Sequence, residues 1–138
     1  MVLTNWYVLH IIFEIIKKID GKVIGMTGFV IFIMSLLPYF TLLISDNFSN
    51  LNAQLCYCGF FIAIELAYDI LFTSIIKIEH NQELKALLNF KRTLIHLIFY
   101  GIGIILGILI TPEIIILFVF TVVLTWFIHV YNSIKNIT

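Results

Sequence analysis

Apolar residues run along this chain in long stretches broken by short polar ones. Four of these stretches, residues 23–45, 55–76, 94–110 and 114–130, come close to the ~20 residues that a helix needs to cross a bilayer. They predict an all-α integral membrane fold. It is a small bundle of four transmembrane helices, or of three to four with an N-terminal helix lying in the membrane interface. Residues 5–19 (NWYVLHIIFEIIKKI) suit that interfacial place. His10, Glu14, Lys17 and Lys18 form one polar stripe on an otherwise apolar helix, and Trp6 and Tyr7 favour the headgroup region. The segment is about 22 Å long at the helical rise, short for a span, and Asp20-Gly21 reads as its end.

Within the spans, small residues and prolines give finer expectations. Gly25, Gly28 and Ser35 in the first span, and Gly101, Gly103 and Gly107 in the third, suit close approach of helix backbones. Pro38 removes one backbone donor and is expected to bend the first span in its outer third. Thr111-Pro112-Glu113 reads as a tight turn between the last two spans. The polar stretch 77–93 has helical spacing at Glu83, Leu84, Leu87, Leu88 and Lys91, which predicts a short surface helix.

Composition sharpens the class. Of 138 residues, 62% are hydrophobic and 12% charged, which leaves no room for a separate soluble domain, so residues 1–138 read as one membrane domain. The formal net charge of zero gives no basic patch for nucleic acid. Charge placement carries more information than the total. The eight basic residues lie in the N-terminal segment, the loop between the second and third spans, and the tail, and none lies in the other two loops. The positive-inside rule then places both termini on the cytoplasmic side of a bacterial inner membrane, or the matrix side of an organellar one. No small-residue cleavage pattern follows the first apolar stretch, so that segment is expected to be retained.

The candidate chemistry centres on the second span. Glu65 and Asp69 lie four residues apart, on one face of a helix and deep in an apolar run. A charge at mid-bilayer costs at least ~2.5–3.5 kcal/mol, so this face must meet another helix, another copy or water. Lys91, Arg92 and His96, at the start of the third span, are the candidate counter-charges. His96 and His129 fall at similar depths, and two axial imidazoles for a haem are conceivable from them; polar anchoring at the membrane boundary is the commoner role, and no cofactor is expected. Cys56 and Cys58 point about 200° apart on a helix, which suits neither a disulfide nor a zinc site. No Walker, HExxH, dinucleotide or Ser/His/Asp pattern occurs, so an enzyme is not expected.

Two segments resemble known families. Ala63-Ile64-Glu65 with Asp69 resembles part of the N-[ST]-A-I-E-x-x-x-D motif of the membrane kinases of diacylglycerol and undecaprenol. Phe61 stands where that family has asparagine, and no Lys-Asp follows on the next helix, so kinase chemistry is not implied. A longer likeness, from about Val23 to Asn136, is to the phage lysis and toxin-secretion holins. Tyr68-Asp69 with Thr73, Lys91-Arg92, two closely spaced final spans and Ser133-Ile134-Lys135-Asn136 correspond to features of that family. The glycine after the aspartate is absent, and His129 stands in place of a tail glutamate. The resemblance implies a small inner-membrane protein that forms homo-oligomers among membrane lipids and opens a lesion. A structural subunit of a larger membrane complex, for example a respiratory one, and a small oligomeric ion channel or transporter are the alternatives.

Overall fold

A computed structural model describes residues 2–16, 20–79, 85 and 89–137, and no strand occurs among the described residues. The helices are α1 (Val2–Ile15), α2 (Gly21–Ser35), α3 (Leu37–Asp46), α4 (Leu51–Glu79), α5 (Phe90–Leu109) and α6 (Ile114–Ile137). With α2 and α3 taken together as Gly21–Asp46, four segments among the described residues are long and apolar enough to cross a membrane.

Each of the four apolar stretches falls on helix, and the helices outrun the stretches that signalled them. Helix α4 covers 51–79 against the expected 55–76, and α6 continues through the polar tail to Ile137. Helix α5 starts at Phe90, four residues before the apolar run, because the Asn89 side chain accepts the Arg92 N–H at 3.3 Å and caps the first turn. Hydropathy marks where a helix is greasy; capping marks where it begins. Lys77 and Lys135 lie in the last turns of α4 and α6, where a cation suits the helix dipole.

Two local readings change. Asp20-Gly21 does not close the first helix. Asp20 accepts the Gly21 N–H at 2.7 Å and is the N-cap of α2, with Gly21 its first residue. The first span is also two helices rather than one bent one. Pro38, in the first turn of α3, has no N–H to give the carbonyl one turn back, and the Leu36 N–H turns to Ile33 O at 3.1 Å, so the ladder breaks at Leu36. The expected surface helix around Glu83, Leu84, Leu87 and Leu88 lies outside the described residues, as do Lys17, Lys18 and His80; Lys91 belongs to the first turn of α5.

Helix α4 is the centre of the bundle, packed against α2, α3, α5 and α6. Helices α5 and α6 form an antiparallel hairpin, and α1 lies against α6. The interior has two clusters. One joins Val8 and Ile12 of α1 to Val23, Val30, Tyr68, Leu71 and Trp126. The other joins Leu37, Cys58, Phe60, Phe61, Tyr100, Ile115 and Val119. Helix α1, expected over 5–19 as an amphipathic interfacial element, thus turns Val8, Ile11 and Ile12 into the bundle. Of its polar stripe, His10 and Glu14 stay outside, where His10 pairs with Glu14 at 3.4 Å and stacks on Trp6.

The loops sort by end. Ser49 Oγ in the α3–α4 turn donates to Glu113 Oε1 in the α5–α6 turn at 2.9 Å, so these two Lys- and Arg-free turns share one end of the bundle. Lys22, Lys77, Lys91 and Lys135 are exposed at helix ends belonging to the other. Between the ends the outer surface is apolar, with Ile24, Phe32, Leu42, Ile105 and Leu117 each more than half exposed, as a lipid-facing flank requires.

Candidate functional site

The acidic face of α4 meets α5 of the same chain. On α4, Glu65 and Asp69 stand one turn apart; on α5, which runs antiparallel to it, His96 and Arg92 stand one turn apart in the matching order. Arg92 Nη2 donates to Asp69 Oδ1 at 3.2 Å, and Thr93 Oγ1 donates to Asp69 Oδ2 at 2.5 Å, so both carboxylate oxygens of Asp69 are engaged. His96 Nδ1 lies 2.5 Å from Glu65 Oε1, with both side chains only 7% exposed. His96 Nε2 reaches Thr125 Oγ1 of α6 at 3.4 Å. The result is a polar seam across three helices in an otherwise apolar interior.

The local sequence explains why α5 presents this face. Its buried residues are Arg92, Thr93, His96, Tyr100, Gly103 and Gly107, which recur at helical spacing along one side. The same stripe therefore carries the polar partners of α4 at one end and the glycines that admit α6 at the other. A Cβ on Gly103 would lie 2.7 Å from Phe118 Cβ, and one on Gly107 would fall onto Ile115, so only hydrogen fits at either position.

Not every expected residue belongs here. Arg92 and His96 are the counter-charges; Lys91 is exposed on the opposite side of the turn and takes no part in the seam. Gly101 meets nothing within 4 Å of its would-be Cβ, so it is not a packing glycine within the bundle; one residue past Tyr100, it is turned about 100° off the buried stripe. Gly25 and Gly28 likewise meet nothing and face outward on α2, as does Ser35. Cys56 is exposed and Cys58 buried, in keeping with their opposed directions, and both are free thiols.

Sequence reasoning missed Thr93, Thr125, Tyr100 and Asn5. Thr93 and Tyr100 had a readable signal, since each shares the helical stripe of Arg92, His96 and Gly103. Thr125 and Asn5 had none, because only the packing of α6 and α1 onto α4 brings them in. Asn5, Glu65 and Tyr100 border a cavity of about 280 Å³ beside the seam, together with Phe61, Trp126 and Phe127. The ring of Trp126 lies 5.2 Å from that of Tyr68. The buried indole nitrogen of Trp126 and the buried hydroxyl of Tyr68 have no hydrogen-bond partner among the described residues.

As for a haem, conceivable from His96 and His129 but not expected, His96 is committed. One ring nitrogen faces Glu65 and the other Thr125, so an axial bond to iron would have to displace a protein partner. His129 is half-buried one turn beyond Thr125 on α6. No group of three or more His, Cys, Asp or Glu side chains comes together as a metal site among the described residues.

The seam can hold charge inside an apolar bundle, and it can pass a proton between Glu65 and His96. Comparison of the chain with known protein families, with curated proteins and with solved structures finds no match.

Proposed function

We propose that this protein is holin-like: a small bacterial inner-membrane protein, both termini cytoplasmic, whose copies associate and then permeabilise the membrane. The observation that carries this reading is the buried seam of Glu65, Asp69, Arg92 and His96 between α4 and α5. Apolar side chains would close the same helix contact at least as well, because burying ions sacrifices hydration that pairing only partly returns. A bundle that keeps four polar groups there is built to exist in two environments. Closed, the groups satisfy one another. When α4 and α5 part, the same groups face water and line a lesion that apolar faces could not keep wet.

The outer surface supports the association step. Gly21, Gly25 and Gly28 lie exposed along one side of α2 with open space above them, and small residues of this kind let a neighbouring helix approach closely. The likeness from Val23 to Asn136 supports the same reading.

The test is inducible expression in a bacterium with membrane potential and release of a cytoplasmic enzyme followed together. Abrupt depolarisation with enzyme release is expected. Asp69→Leu and Glu65→Leu should each alter its timing or extent, because each removes part of the polar lining and one contact across the seam. Depolarisation without enzyme release would point instead to a channel or transporter. Confirmed insertion with no effect on either readout would overturn the proposal and favour a subunit that works only within a larger complex.

A further inference from the structure

The cavity beside the seam is unlike the rest of the interior. At about 280 Å³ it sits at the lower edge of small-molecule pockets, which start at roughly 300 Å³. Its wall is aromatic (Phe61, Tyr100, Trp126, Phe127), with Glu65 and Asn5 as polar members. Phe120 and Leu124 also line it and are 63% and 45% exposed, so it reaches the apolar flank of the bundle midway along α6 rather than a loop end. Whatever enters comes through the hydrocarbon.

Charge decides what that occupant is. The seam has two carboxylates, one cation that is always charged, and one imidazole that can take or release a proton. Asp69 and Arg92 balance each other. That leaves Glu65 with His96, and the pair is neutral while it holds one proton and carries −1 when it does not. Among the described residues, no other element brings a compensating cation to the cavity wall. Helix α1 contributes Asn5, α2 and α3 contribute Met34 and Leu37, and α4 contributes Phe61 and Ile64. Helix α5 contributes Tyr100, beside the His96 and Arg92 of the seam. Helix α6 supplies apolar and aromatic side chains to the wall and Thr125 to His96, with His129 one turn beyond. A negative charge set among aromatic faces attracts a soft cation twice, through the carboxylate and through the ring quadrupoles.

We propose that this cavity binds a lipophilic monocation, an organic ammonium with a compact aromatic or branched alkyl body, in exchange for the proton of the Glu65–His96 pair. The exchange balances: one cation enters, one proton leaves to solvent, and the net charge of the seam and its occupant stays at zero. It does not rest on the holin-like reading, since binding to a single closed bundle is sufficient.

Binding is tested on the full chain purified in neutral detergent micelles, carrying Trp6→Phe so that Trp126 is the sole tryptophan. The probe is benzyltrimethylammonium, whose charge does not vary with pH, against neopentylbenzene, its neutral isostere. Saturable change in Trp126 fluorescence is expected with the cation, at least tenfold tighter than with the isostere. Because one proton competes with one cation, the affinity should fall as the pH is lowered, by up to about tenfold per pH unit. Glu65→Gln should erase both the charge preference and the pH dependence while leaving weak binding of the isostere. Equal binding of the two probes, or a cation affinity that stays flat over the whole pH range in which the protein remains folded, overturns the proposal. Both of those comparisons use the native seam, so they decide the matter even if Glu65→Gln does not fold.

Discussion

Asp69 is held by two donors from α5, and its removal separates the value of the pair from the value of the space it fills. Asp69→Leu deletes the ion pair of the Arg92 guanidinium with Asp69 while the guanidinium stays buried at 9% side-chain exposure, a loss of up to about 3–5 kcal/mol. Asp69→Leu combined with Arg92→Leu should recover most of that, because the buried guanidinium is gone. Thr93→Val, which deletes a hydroxyl bond to a carboxylate, should lose about 1.5–3 kcal/mol. Unfolding in mixed micelles measures all three, and a double variant no more stable than the single would show that the charges are not acting as a pair. At this scale the sequence was partly transparent. Two carboxylates one turn apart in an apolar run announced themselves, and Arg92 and His96 were within reach by sequence distance. Lys91 was equally near, and only the rotation of α5 separates it from Arg92. A 100° difference between adjacent residues is invisible in a list of charges but plain once the stripe through Thr93, His96, Tyr100 and Gly103 is traced.

Between helices, glycine spacing proved a weaker guide than glycine direction. Gly101, Gly103 and Gly107 look alike in sequence, yet the last two face α6 and the first does not. Gly103→Ala should lose about 1–3 kcal/mol by forcing Phe118 and the hairpin apart. Gly101→Ala meets open space and should be neutral, or stabilising by up to about 1 kcal/mol through helix propensity. The pair of variants compared by thermal melting in one detergent checks both signs at once; equal losses at the two positions would mean that α5 is rotated from the orientation described. The helix ends were the least legible feature. Asp20 and Asn89 act as N-caps that outvote hydropathy, and Pro38 splits one apolar stretch into α2 and α3, so apolar runs gave the number of spans but not where their helices start and stop.

For the whole molecule, the alternation of basic and non-basic loops agrees with the way the helices join. The Ser49–Glu113 bond ties together the two turns that lack Lys and Arg, and Lys22, Lys77, Lys91 and Lys135 belong to the opposite end. Nothing in the fold itself says which end faces the cell interior; the charge bias predicts that the basic end does, because each basic residue opposes translocation during insertion. This makes the orientation a separate and testable statement. In a chain with Cys56 and Cys58 replaced by Ala, Ser49→Cys and Lys85→Cys place single thiols in loops at the two ends. A membrane-impermeant maleimide applied to intact spheroplasts should label the Ser49→Cys protein and spare the Lys85→Cys protein until the membrane is opened. The reverse pattern would put the basic end outside and remove the topological footing of the holin-like reading. Labelling of both in sealed spheroplasts, with a cytoplasmic marker protein still protected, would mean that the chain populates two orientations, which a loop charge bias this one-sided should prevent.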